Sequence, residues 1–366
     1  MTYDVVIIGG GAAGLSGAVA LGRALRSVLV IDGGEPRNAP AEGVHNYLTR
    51  DGMPPAELVA AGREEAARYG VEFRSGQVSE VTGTADAFRV TVTSAADTHR
   101  KAVTSAADTH RKAVTSAADP SRGVDGAAGT SREAVDGASR EAVDDTSREA
   151  MDRASREAMD GEIVEARRII VASGVRDVLP DIPGLAEGWG STVVHCPYCH
   201  GWEVRGSAIG VIATSAEMAT MKGLLWSQWT GDLLLFLNDT FTPDPGQARQ
   251  LAVRGVQTVA GKVEAVTAEG VHLTGGAVIP RDHLVVATRV EARLDFLAPL
   301  GLKPVEHPMG VGTHLPVEDP SGRTSVPGVW AAGNITEPNA QVISSAAAGL
   351  GAGAAVNMDL ILADAG

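Results

Sequence analysis

Cysteine is nearly absent. The 366-residue chain has only Cys196 and Cys199, so no disulfide framework can hold it together. Both fall in one four-residue motif, which turns their scarcity into a pointer to chemistry. Aromatic residues make up only 4%, so the core must be built from Val, Leu, Ile and Ala. Lysine is scarce too: five of the 31 basic residues are Lys and the rest are Arg. Those bases are outnumbered by 45 acids, and the net charge of −14 argues against nucleic acid or an anionic membrane as a partner. No apolar stretch reaches the roughly 18 residues of a membrane span. Met1-Thr2-Tyr3-Asp4 runs into an apolar segment with no basic region or cleavage site, so a cytoplasmic location is expected.

The length suffices for two domains. One tract cannot belong to either core: residues 93–160 contain no Leu, Ile, Phe, Tyr, Trp or Cys. It repeats first every 11 residues, from Thr93-Ser94-Ala95-Ala96-Asp97, and then every 8, in Ser-Arg-Glu-Ala units starting at Ser131, Ser139, Ser147 and Ser155. Such units have almost no apolar face to stack, unlike solenoid repeats. The expectation is a low-complexity insert, disordered or loosely helical. It interrupts a hairpin. Phe88-Arg89-Val90-Thr91-Val92 alternates as one strand, and Glu162 to Val171 reads as the returning strand plus the next one. A hairpin tip tolerates long insertions because loop-closure entropy grows slowly with length.

The N-terminus carries the strongest fold signal. Val5-Val6-Ile7-Ile8 reads as a buried parallel strand, followed by Gly9-Gly10-Gly11-Ala12-Ala13-Gly14 and an apolar helix to about Arg26. Gly9 permits the tight turn, Gly11 lets a pyrophosphate approach the backbone, and Gly14 lets helix and strand pack closely. The first helical residues, Ala12 and Ala13, belong to an anion-binding helix N-terminus. A second strand, Val28-Leu29-Val30-Ile31, ends in Asp32, 18 residues after Gly14, where an acid suits ribose hydroxyls. Strand, glycines, helix, strand and acid in this order specify a dinucleotide site.

His195-Cys196-Pro197-Tyr198-Cys199-His200 is the candidate reaction centre. Zinc, a pair of structural thiols and a redox dithiol all fit such a motif. Four zinc ligands within six residues rarely close a tetrahedron, so no metal is expected. CxxC spacing lets two sulfurs bridge and depresses one thiol pKa, which favours redox chemistry.

Val326 to Asn334 resembles the second FAD fingerprint of two-dinucleotide-domain flavoproteins, with Asn334 where Asp is usual. Ala172-Ser173-Gly174 resembles their ATG turn. Taken with the CxxC, the chain resembles the low-molecular-weight thioredoxin reductase superfamily over nearly all its residues outside the insert. Val44-His45-Asn46-Tyr47 looks like that family's segment reaching the flavin ring. The resemblance implies an α/β, two-dinucleotide-binding-domain flavoprotein: a Rossmann-like FAD domain (1–92, 161–188 and 285–366) with a smaller α/β domain (189–284) inserted. It implies FAD held by Gly9, Gly11, Ala12, Ala13, Gly14, Asp32, Asn46, Val78, Ala172, Gly174, Gly333, Asn334, Gln341 and Val342. It also implies a homodimer, with Cys199 as the flavin-proximal thiol and Cys196 as the interchange thiol. The family's acid after the second cysteine is replaced by His200, and either His200 or His195 can act as base.

A pyridine-nucleotide site would need a second glycine turn, but the matching strand Ala208 to Ile212 leads into Ala213-Thr214-Ser215-Ala216-Glu217-Met218. Cβ atoms and Glu217 would repel a pyrophosphate there, and no Arg or Lys follows the next strand before Arg249. This pattern resembles dithiol oxidases of the gliotoxin and holomycin type. The expected substrate is a small-molecule dithiol and the expected acceptor molecular oxygen. An NADPH- or ferredoxin-linked disulfide reductase and a non-catalytic flavin regulator are the alternatives.

Overall fold

The computed structural model describes residues 2–93 and 161–366; the expectation for the insert falls on residues outside these, apart from Thr93. Four consecutive buried residues, Val5 to Ile8, make β1 (Thr2–Ile8) a strand covered on both faces. It feeds α1 (Ala12–Arg23) and β2 (Val28–Asp32). The helix stops short of Arg26 because Leu25 takes a left-handed conformation, with φ of 64°, and turns the chain out. α2 (Pro55–Ala67), β3 (Glu72–Ser75), β4 (Gln77–Thr82) and β5 (Phe88–Thr93) follow. β5 buries Phe88, Val90 and Val92 and exposes Arg89, as its alternation requires.

The expected pair of strands after the insert is instead one ten-residue strand, β6 (Glu162–Val171). Its first half pairs antiparallel with β5, from Val92↔Glu162 to Phe88↔Ala166. Its second half is parallel both to β1 and to β19 (Val329–Ala331). Ile169, Ile170 and Val171 are fully buried, so one strand serves both the hairpin and the parallel sheet. The sheet order is β3-β2-β1-β6-β5-β4, with β19 beside β6.

β7 (Val175–Val178) leads out of this sheet. A second sheet is built from β8 (Val193–Val194), β9 (Ile209–Ile212), β10 (Leu233–Phe236), β11 (Gln257–Val259) and β15 (His283–Val286), all parallel in the order β11-β10-β9-β15-β8. Helices α3 (Pro197–His200), α4 (Ala216–Trp226) and α5 (Pro245–Val253) connect it, and β12 (Val263–Thr267), β13 (Gly270–Leu273) and β14 (Val278–Ile279) form a small antiparallel sheet. The chain returns through β16 (Arg289–Ala292), antiparallel to β7. β15 lies wholly in the second sheet, and Leu185 packs with Val193, Ile212 and Phe236.

The last element is α6 (Val342–Ala365), 24 residues long. By length and composition alone it is apolar and long enough to cross a membrane. That corrects the expectation that no such stretch exists. The hydropathy comes largely from Ala and Gly, which serve close packing: Gly349 and Gly353 approach the backbone of Ala13 and Gly17 so closely that Cβ atoms would collide. Val356 and Leu360 are fully buried in the same core as Val5, Ile7 and Trp330.

Candidate active site

The first strand–helix turn is built for a close-approaching ligand. Gly9 has φ of +109°, and a Cβ there would stand 2.3 Å from the carbonyl oxygen of Ala172. A Cβ on Gly14 would stand 1.9 Å from the Gly9 oxygen. These two glycines fit the protein to itself. Gly11 differs, since a Cβ added there meets nothing within 4 Å. It opens onto free space at the N-terminal end of α1, beside Ala12 and Ala13. Asp32 packs against Gly10 and pairs with Arg63 at 3.3 Å.

The C-terminal segment closes on the same turn. Gly333, with φ of +89°, would put a Cβ 2.9 Å from that of Ala13. Asn334 donates both amide hydrogens inward, to Ala340 at 2.8 Å and Pro338 at 3.2 Å, leaving its Oδ1 for a ligand hydroxyl. Gln341 precedes α6, and Val342 is its first residue. Gly174, with φ of +68°, accepts from the Arg293 backbone N–H. Val78 lies half-buried on β4 against the core. Asp32 and Gly333 thus both border the glycine turn, where a helix N-terminus suits a diphosphate and an acid suits its ribose.

The cysteines sit where β8 gives way to α3. Cys196 precedes the helix in an extended conformation, Pro197 opens it, and Cys199 lies one turn on. The Cys199 thiol donates to the Cys196 sulfur across 3.0 Å. That bond, supported by the backbone N–H groups of Cys199 and Tyr198 and the Lys222 charge, lowers Cys196 to about 7 against the cost of burial. Cys199 is pushed up, because it donates to Cys196 and is also desolvated. The pair is thereby biased toward a thiolate at Cys196 and a thiol at Cys199.

The loop after β2 grips this helix. Asn46, with φ of 58°, donates from its amide to the Tyr198 carbonyl at 2.7 Å. His45 bridges Glu203 at 3.5 Å and Asp51 at 3.6 Å. Asn46 thus ties the first sheet's loop to the redox helix.

The two histidines sit in different surroundings. His195 stacks on Trp189, with ring centroids 5.7 Å apart. Burial, together with nearby Arg37, lowers it to about 4 despite Asp177. Arg37 is itself held by Asp177 at 2.7 Å, and Thr288 donates to the same carboxylate. His200 has both ring nitrogens buried with no hydrogen-bond partner among the described residues, and desolvation lowers its pKa. Lys222 of α4, absent from the sequence-based set, donates to the His195 carbonyl at 3.4 Å. Only proximity in space reveals it, since 22 residues separate it from the CxxC.

Residues 3–353 match the family model described as pyridine nucleotide-disulphide oxidoreductase. The chain belongs to this family. Among its similar relatives is thioredoxin reductase sirT of Leptosphaeria maculans, 28% identical over 99% of this chain and 95% of the relative. Thioredoxin reductase tcpT of Claviceps purpurea is 28% identical over 90% and 86%. Among solved structures, an oxidoreductase from Agrobacterium tumefaciens superposes with a TM-score of 0.76, is 30% identical, and covers 99% of each chain. The HlmI structure superposes with a TM-score of 0.74 at 33% identity, over 100% of this chain and 94% of its own. As a pyridine nucleotide-disulphide oxidoreductase, the chain is a thioredoxin reductase-like redox enzyme, and its cofactor is FAD.

The second strand–turn–helix departs from what the pyridine nucleotide part of that family name requires. β9 and α4 keep the scaffold, but the turn between them is bonded to the protein itself. Asn238 and Thr240 both donate to the Ala213 carbonyl, at 3.1 and 3.2 Å. The Ser215 hydroxyl caps α4 by accepting from the Met218 N–H. Glu217 stands exposed in the helix's first turn, where it disfavours a phosphate.

Proposed function

We propose that this oxidoreductase closes a disulfide in a small-molecule dithiol, passing the electrons through Cys196–Cys199 to FAD and then to molecular oxygen. The observation that carries this reading is the contrast between its two dinucleotide crevices. The first is open at Gly11, whereas the second has side chains and internal hydrogen bonds where glycines would stand. Electrons must then enter from the dithiol side.

With the pair oxidised, a substrate thiolate attacks Cys196 and releases Cys199. The second substrate thiolate attacks the substrate sulfur of the mixed disulfide, the bond to Cys196 breaks, and its electron pair stays on Cys196. Both cysteines are then reduced and the product carries the new disulfide. Gly11 and the N-terminus of α1 would hold FAD, which would supply a two-electron acceptor for the reduced cysteines. His200 is the base that takes the incoming thiol's proton, because its ring nitrogens are otherwise unpartnered. The homodimer belongs to the same reading, supported by the exposed Ile343, Leu350, Met358 and Leu362 of α6. So does a cytoplasmic location.

Anaerobic mixing tests this reading. Dithiothreitol should bleach the flavin absorbance, NADPH should not, and admitting air should restore the colour with formation of hydrogen peroxide. Rapid bleaching by micromolar NADPH would overturn the proposal in favour of a disulfide reductase, the activity for which sirT and tcpT are named.

A further inference from the structure

Helix α4 occupies the place where a second dinucleotide would be gripped, yet its N-terminus is closed by Ser215. Two turns in, it presents Lys222 to the redox motif. Among the described residues Lys222 is the one lysine that is not exposed; Lys262 and Lys303 both face solvent. An ammonium withdrawn from water needs a partner, but the bond Lys222 makes is to a neutral acceptor, the His195 carbonyl. That carbonyl belongs to the residue immediately before Cys196. Among the described residues, Lys222 makes no ion pair with a carboxylate.

The other charges near the sulfur do not compete for this role. Arg37 is paired with Asp177 and acts on His195 and Cys199, and His195 is uncharged at neutral pH. Within α3, Cys199 keeps its proton and His200 is biased to its neutral form. Glu203 faces His45. Lys222 is left as the cation acting on Cys196; burial lowers the pKa of this lysine, and the nearby sulfur offsets part of that loss.

We propose that Lys222 is a positioning residue for the thiol exchange, supplying the positive charge that keeps the Cys196 sulfur anionic as it leaves the mixed disulfide. A better-stabilised leaving thiolate departs faster, so the charge acts on the step that releases product. The helix of a lost nucleotide crevice thereby serves the cysteine pair directly. This inference rests on the reading of Cys196 as the exchanging sulfur, and its test separates the two.

Reduced, FAD-loaded enzyme is labelled with iodoacetamide across a pH series, and the labelled peptide is mapped. In Lys222→Met the labelling midpoint of Cys196 should move about one pH unit to the alkaline side, slowing labelling at pH 7 about five- to tenfold. Lys222→Gln can keep a hydrogen bond to the His195 carbonyl but lacks the charge, and should behave like Lys222→Met. Lys222→Arg should stay within about twofold of the parent. An unchanged profile in the Met and Gln variants, with flavin retained, overturns the role of Lys222. So does an Arg variant shifted as far as the Met variant. Label found on Cys199 in the parent enzyme would instead overturn the assignment of Cys196.

Discussion

Neighbouring residues in one motif diverge because each meets a different environment. Cys196 receives hydrogen bonds and a nearby positive charge, whereas Cys199 donates a hydrogen bond and keeps its proton. A thiol lowered to about 7 is protonated below that pH and anionic above it, so alkylation of the reduced enzyme at Cys196 should accelerate as pH rises through neutrality. His200 has a lowered pKa and is already a free base over that range. The rise should therefore persist in His200→Ala, while turnover with dithiothreitol at pH 7 falls about 10²-fold or more and recovers in part at alkaline pH. His195→Ala should lose far less, because that imidazole is stacked and uncharged. Turnover against pH for the two variants checks the assignment; an equal loss in both would remove His200 as the specific base. The sequence offered the two histidines as equals. It could not separate them, because stacking on Trp189 and proximity to Arg37 and Asp177 join residues far apart in the chain.

Among the elements, the contacts of α1 with α6 and the turn before α1 assign different work to chemically identical residues. Gly349 has no room for a Cβ, which would stand 1.9 Å from the Ala13 oxygen, whereas a Cβ on Gly11 meets open space. Gly11→Val should therefore fold with a thermal midpoint near the parent's yet purify without colour. Gly349→Ala should lose about 1–3 kcal/mol of stability through overpacking. Circular dichroism melts and the visible spectrum distinguish them; a yellow Gly11→Val protein would place the cofactor elsewhere. The glycine turn was legible in the sequence because strand, turn and acid are local. The double role of β6 was not, since a ten-residue stretch broken by Arg167 and Arg168 reads equally as one strand or two, and its pairing with β5, β1 and β19 decides. α6 misled in a different way: composition shows small apolar residues but not the helix against which they pack.

For the whole molecule, the two sheets are joined through β7 and β16, paired side by side, and braced by Asn46 on Tyr198 and Arg37 on Asp177. The hairpin that bears the insert stands apart from these joints. Val92 and Glu162 pair at its open end, so replacing residues 94–160 by a short Gly-Asn turn should leave flavin content and turnover unchanged. Removing that length of loop should raise stability by at most about 2–3 kcal/mol, the closure entropy saved. Chemical denaturation of the two forms measures this, and loss of flavin in the shortened protein would show that the tract has a structural role.

The pairing of Val92 with Glu162 also has a genetic consequence. Tandem repeats in DNA grow and shrink when a replicating strand slips, and here each slip adds or removes a whole unit of 11 or 8 codons, keeping the reading frame. Because the β5–β6 ladder closes below the tract, every such allele presents the same register to the sheet. Alleles that differ by whole units should therefore match in flavin content and differ in stability only by the loop-closure entropy of the units gained or lost.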